Sequence, residues 1–202
     1  MGPDAQIGEF SVLGVPSRGR KPGEQRTQIG ARAVIRSHTV IYAGTVIGDD
    51  FQSGHGVLVR EASQVADRVS IGSHTVIEHH VLIGCDVRIH SNAFVPEYSV
   101  LEIGCWVGPN AVLTNARYPL SPATKEELEG PHIEAYAKIG ANATLLPGVV
   151  IGTYALVGAG AVVVRSAPPG KVLVGNPARV VGDVSDLEAY AIEKIAKGPD
   201  SE

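Results

Sequence analysis

From Ile29 onward an aliphatic residue recurs every six positions, a spacing that fits neither a 3.6-residue helix nor a long alternating strand. The ladder reads Ile29, Ile35, Ile41, Ile47, Ser53, Val59, Val65, Ile71, Ile77, Ile83, Ile89, Val95, Leu101, Val107, Leu113; fourteen of the fifteen are aliphatic, Ser53 being the exception. Small or β-branched residues recur four positions further on, at Ala33, Thr39, Thr45, Val69, Thr75, Val81, Ala93, Ser99, Cys105 and Ala111. A short fixed period marks a repeat architecture, in which each unit buries its apolar face only against its neighbours. Each hexad reads as a short strand and a turn with one side chain pointing inward. Three hexads close a triangular coil of about 18 residues, and stacked coils bury a continuous aliphatic column. The expected class is therefore all-β, a parallel β-helix. Composition agrees: Val and Ile number 42 against 12 Leu, and 24 Gly supply turns, so a helical bundle is excluded.

The ladder stops after Leu113. Residues 114–132 (TNARYPLSPATKEELEGPH) hold no repeat. A second ladder, Ile133, Ile139, Leu145, Ile151, Val157, Val163, is out of phase with the first, so an insertion separates them. Residues 1–28 read as a cap with partial repeats at Ile7 and Leu13 and a basic loop, SRGRKPGEQR. The expected organisation is one domain over 1–182 with an external loop at 114–132, then a helix and tail over 183–202. There Ser185 would N-cap a short amphipathic α-helix carrying Leu187, Tyr190, Ala191 and Ile195. A net charge of −4 makes nucleic acid a poor partner, and no run approaches the length of a membrane span. The N-terminus lacks a basic-then-apolar signal pattern, and Cys85 and Cys105 are too few for a disulfide framework or a zinc site. The expected location is the cytoplasm.

Residues 18 apart stack in such a solenoid. One column is His38, Gly56, His74, Asn92, Asn110; another is Glu61, His79, Glu97, Asn115. A histidine stacked on a carboxylate at about 5 Å, as His79 on Glu97, has the oriented ring that a general base needs. His74, His79, His80, His90, Asn92, Glu97 and Asn115 crowd into 42 residues beneath the loop.

The hexads, the loop opening TNARYP and the run IGANATLLPGVVIGTYALVGAGAVVVRSAPPGKVLVGNPARVVG resemble the hexapeptide-repeat sugar N-acyltransferases. The most similar group acts on nucleotide-linked 3-amino sugars, and the resemblance covers roughly 29–182. It implies a left-handed winding, a homotrimer with active sites between neighbouring β-helices, and acetyl-CoA as the acyl donor. The acceptor it implies is a nucleotide-linked amino sugar. The pantetheine arm would run along the C-terminal coils near Gly140, Gly158, Ala159 and Gly160, with Lys138, Arg165, Lys171 and Arg179 near the CoA phosphates. Where the aminoglucuronate group carries a KIQNN-like hexad, this chain reads RIHSN. Asn92 takes the position of the family's important Asn, and His90 adds an imidazole.

The expected reaction is acyl transfer to a neutral amine, with His79 and Glu97 or His90 as base and a backbone N–H or Asn92 at the oxyanion. His74, His80, Asn115, Arg117 and Tyr118 would bind the acceptor. No metal is expected. Three alternatives stand beside it. One is O-acetyl transfer on the same fold. Another is a zinc enzyme using His38, His74 and His79, whose spacing resembles the γ-class carbonic anhydrases. The last is a non-enzymatic scaffold.

Overall fold

The structure, a computed structural model, describes residues 1–190; Ala191 and Ile195 of the expected tail helix lie outside the described residues. It is an all-β parallel solenoid of about eight turns, consistent with the left-handed β-helix expected. Two-residue strands stack into three sheets of ten, eight and seven strands. The first face holds Ser70–Ile71 and Arg88–Ile89, the second Val76–Ile77 and Phe94–Val95, and the third Leu82–Ile83 and Val100–Leu101. Where no insertion intervenes the strands of the regular coils pair 18 residues apart, Ser70 with Arg88 and Val76 with Phe94. The six-residue period is thus one side of a triangle.

The second residue of each strand points inward, and the ladder is buried from Ile29 to Val163. Ser53 is also buried, and the residue two positions before it, Phe51, is fully buried where the neighbouring coils have Ala33 and Val69. The ring fills the volume that Ser53 leaves. The Ser53 hydroxyl accepts from the Arg36 N–H at 3.0 Å and lies 3.3 Å from the Thr39 hydroxyl, so its polarity is satisfied. The buried hydroxyls of Thr45, Ser63 and Thr75 donate to the carbonyls of Arg60, Glu78 and His90.

Each corner needs one residue at positive φ, and the corners carry it in columns. His38, Gly56, His74, Asn92 and Asn110 turn the chain from first to second face, while Gly44, Ala62, His80 and Tyr98 turn it from second to third. Asn, Asp and Gly are the residues this region tolerates best, so corner chemistry is partly dictated by the backbone.

The N-terminal cap, with its partial repeats at Ile7 and Leu13, forms a coil. Gln6–Ile7 pairs with Val34–Ile35, and Val12–Val15 with Val40–Tyr42. The external loop runs over 114–131, because His132 already pairs with Val100 and Val150. At the far end Lys171–Val174 and Arg179–Asp183 form an antiparallel pair closing the first face. Beyond it, Val184–Asp186 and Glu188–Tyr190 are single 3-10 turns, so the described part of the tail is not α-helical. Ser185 lies inside the first turn; its N-cap is Asp183, whose side chain makes no capping bond. Among the described residues no helix is long and apolar enough to cross a membrane.

Candidate active site

The expected site residues divide between two edges of the triangle. His74, His90 and Asn92 lie where the first face turns into the second. His79, His80, Glu97 and Asn115 lie where the second turns into the third. One chain therefore does not bring Asn92 to the His79–Glu97 pair. The 18-residue stacking puts each column in order but leaves a whole face between them.

On the second–third edge the contacts form a chain. The Asn115 amide donates to Glu97 Oε2 at 2.7 Å. The other carboxylate oxygen, Oε1, lies 3.5 Å from His79 Nε2. His79 Nδ1 lies 2.8 Å from His80 Nδ1. His80 is exposed, and its ring packs at 5.6 Å centroid distance against Tyr98 in the next coil. Tyr98 also meets the His79 ring edge-on at 5.9 Å, a partner that the sequence reading missed. One coil below, Arg60 bridges Glu61 at 2.8 Å and Glu78 at 2.9 Å. Burial raises the Glu61 pKa, but the Arg60 hydrogen bond and charge outweigh it and leave the carboxyl below its ordinary value.

The external loop is rooted on this chain, since the Asn115 carbonyl accepts from the Glu129 N–H at 3.0 Å. Arg117 donates to the Pro147 carbonyl at 3.2 Å, so it ties the loop to the solenoid. Tyr118 is 66% exposed and Leu120 99%, so the loop tip presents apolar surface outward.

On the first–second edge Asn92 is exposed at φ 60°. The ring of His74 lies over Gly56, where an added Cβ would come within 2.7 Å of Nδ1 and would have to push the ring aside. The His90 ring sits 4.7 Å from that of Trp106, and its Nε2 is buried with no hydrogen-bond partner among the described residues. Burial and the nearby Arg88 hold the His90 pKa below the ordinary imidazole value. Gly140 and Gly158 continue this edge, and both are required by coil-to-coil packing. A Cβ on Gly140 would meet the Ala159 backbone, and one on Gly158 the Val174 side chain. Ala159 and Gly160 are exposed.

The expected CoA-contacting cations are spread over the C-terminal coils. Lys138 lies on the first face with its ammonium 5.0 Å over the Tyr190 ring, and burial lowers its pKa. Arg165 is exposed after the strand Val162–Val163 on the second face. Lys171 pairs with Asp183, and Arg179 is exposed on the closing strand. For the zinc alternative, His38 and His74 share one edge with Gly56 between them, while His79 lies on another. Among the described residues no group of three His, Cys, Asp or Glu is placed to hold a metal ion.

Residues 130–165 match the family model described as bacterial transferase hexapeptide (six repeats). A 2,3,4,5-tetrahydropyridine-2,6-dicarboxylate N-acetyltransferase of Staphylococcus aureus (strain JH9) is 38% identical over 90 residues, which are 45% of this chain and 35% of the relative. The chain thus spans about a third of the length of the curated relatives it matches. Among solved structures, a putative acetyltransferase of Bacillus cereus has TM-score 0.51 at 21% identity, covering 95% of this chain and 91% of that one. A UDP-N-acetylglucosamine acyltransferase of Bacteroides fragilis 9343 has TM-score 0.53 at 14% identity, covering 97% and 78%. Residues 130–165 carry the hexapeptide-repeat signature, and the described chain has the fold of these acyltransferase structures.

Proposed function

We propose that the protein is an acetyl-CoA-dependent acetyltransferase that acylates an amine, with a nucleotide-linked amino sugar as the acceptor. The observation that carries this reading is the chain Asn115–Glu97–His79–His80. With its Oε2 occupied by Asn115, Glu97 turns Oε1 toward His79 Nε2–H. His79 Nδ1 is then an acceptor and takes the Nδ1–H of His80. His80 Nε2 is left as an outward lone pair, backed by a carboxylate two groups away. His80 rather than His79 is thus the base, and His79, Glu97 and Asn115 position it.

The neutral amine attacks the thioester carbonyl, forming the C–N bond, and passes its proton to His80 Nε2. The tetrahedral intermediate expels the CoA sulfur, which takes that proton from the imidazolium. The products are an amide and free CoA, and no nucleophilic side chain is needed. The thioester would run along the first–second edge past Gly140, Gly158 and Ala159. Asn92 and His90 stand on that same edge, Asn92 with an exposed amide suited to the oxyanion. The two halves meet if the first–second edge of one copy faces the second–third edge of the next in a homotrimer. The N-acetyltransferase relative and the acyltransferase folds support the reaction class. The test is CoA-thiol release from acetyl-CoA with a panel of UDP- and dTDP-linked 3-amino sugars and their hydroxyl counterparts. Release with amino sugars alone is expected. Release with hydroxyl sugars alone would make it an O-acetyltransferase, and no release with any acceptor would overturn the reading.

A further inference from the structure

The basic segment 17–26 leaves the solenoid between Val12–Val15 on the second face and Gln28–Ile29 on the third. That is the same edge from which the external loop departs. Between the two insertions this edge is built by the turns at 43–45, 60–63, 78–81 and 96–99, so His80 lies between them. Arg18, Arg20, Lys21 and Arg26 are all exposed, and among the described residues none pairs with a carboxylate. With Glu24 as the one acid in the segment, three positive charges are in surplus within a chain of net charge −4. Bonds within the segment fold it on itself. The Ser17 hydroxyl lies 3.3 Å from Gln25 Oε1, and the Arg20 N–H donates to the Ser17 carbonyl at 3.0 Å. Gln25 leans up the edge over Gly44, where an added Cβ would come within 3.4 Å of its amide.

We propose that Arg18, Arg20, Lys21 and Arg26 bind the phosphate of the same acceptor whose amine meets His80. The spacing sets the size of that acceptor. Three coil steps of about 4.8 Å separate the root of the segment from the His80 turn, roughly 14 Å. The distance shortens as the segment leans toward Gly44. A phosphate-bearing small molecule spans this distance, and four unpaired cations match its charge. The donor is the poorer candidate, because the glycines proposed to line its pantetheine arm lie at the opposite end of the solenoid. This inference rests on the acetyl-transfer reading for the identity of the reacting end, but its test reads binding alone.

The experiment replaces Arg18, Arg20, Lys21 and Arg26 by Gln together and measures calorimetric binding of UDP, inorganic pyrophosphate, uridine and CoA. The four positions are exposed, so an unchanged melting curve confirms the fold. UDP and pyrophosphate should bind at least about tenfold more weakly to the variant, with uridine and CoA unchanged. Wild-type binding of UDP should also weaken as salt is raised. Equal UDP affinity in both proteins would overturn the proposal, as would a wild type that binds neither UDP nor pyrophosphate. Loss of CoA binding instead would assign the cations to the donor. A change in mass by analytical ultracentrifugation would make the segment a contact between copies. If the phosphate probes behave as expected while no amine is acetylated, the reaction reading fails and the anion site stands.

Discussion

Two inactive variants, mixed, decide whether the site is shared between copies. His80→Asn removes the terminal imidazole of the second–third edge. Asn92→Gly removes the amide of the first–second edge. Both corners sit at positive φ, 57° and 60°, and Asn and Gly are the residues that tolerate it, so neither change strains the coil. Loss of a general base or of an oxyanion donor costs about 10² to 10³ in kcat, so each variant alone should be nearly silent. In mixed trimers reassembled from equal amounts, a site is whole only where an His80→Asn chain gives the first–second edge and an Asn92→Gly chain gives the facing one. Random assortment makes that so for about one site in four, so thiol release should recover to roughly a quarter of wild type. That is far above either parent. Native mass spectrometry establishes that mixed oligomers formed. If they formed and activity stays at the parental level, the two edges do not cooperate, and the reasoning from edge placement is refuted. Full activity in either parent removes that residue from the site.

Glu97→Gln, which breaks the brace between Asn115 and His79, should lower kcat about tenfold or more with KM for acetyl-CoA unchanged; an unchanged kcat would remove the relay. Phe51→Ala should cost about 3–5 kcal/mol in urea unfolding, since the ring fills the space beside Ser53, and a loss under 1 kcal/mol would show that the coil collapses onto the gap. Burial pushes the Cys105 thiol to about 12, so in the native protein at pH 8 a thiol reagent should titrate half-buried Cys85 alone, and both only after denaturation. His90 is held below the ordinary imidazole value, so the unfolded chain takes up this proton first as pH falls through about 6.5, and the native state loses stability there. His90→Gln should therefore narrow the drop in melting temperature between pH 7 and pH 5.5; an equal drop in both proteins would count against this assignment.

The inward residues were legible because the core tolerates only one pattern. Each hexad buries two residues, the ladder residue and the one two positions before it, and a polar residue at either needs a partner, as Ser53 has in Thr39 and the Arg36 N–H. Stacking was legible too: the distance between residues 18 apart is fixed by the strand ladder, so Glu97 above His79 followed from arithmetic. Three things were not legible. Which edge a column occupies depends on the phase of the hexad, so the Asn92 and His79 columns, crowded into one stretch of sequence, lie a face apart. The His79–His80 contact joins adjacent residues whose rings meet only because the corner turns at positive φ on His80. The tail was legible only in part: Leu187 and Tyr190 have helical spacing, the described residues form two 3-10 turns, the first without a side-chain cap, and Ala191 and Ile195 lie outside the described residues.

Where a β-helix can be lengthened is also set by its physics. Extra residues within a strand would shift every inward side chain of that coil out of register, so insertions are confined to the corners. Six corners are available in any two coils, and this chain places both of its long insertions, 16–27 and 114–131, on the same edge. The first is basic and the second carries Glu126, Glu127 and Glu129 against Lys125 and Arg117, so the edge runs from positive to negative charge along the axis. A bound acceptor with an anionic end and an aminated end is oriented by such a gradient before any specific contact forms. On the proposed function, the acceptor's anion would be drawn to the segment 17–26, and its amine, cationic in solution, toward Glu97 and the loop base. That amine would have to lose a proton before reacting, and His80, an exposed imidazole between the two insertions, is placed to take it.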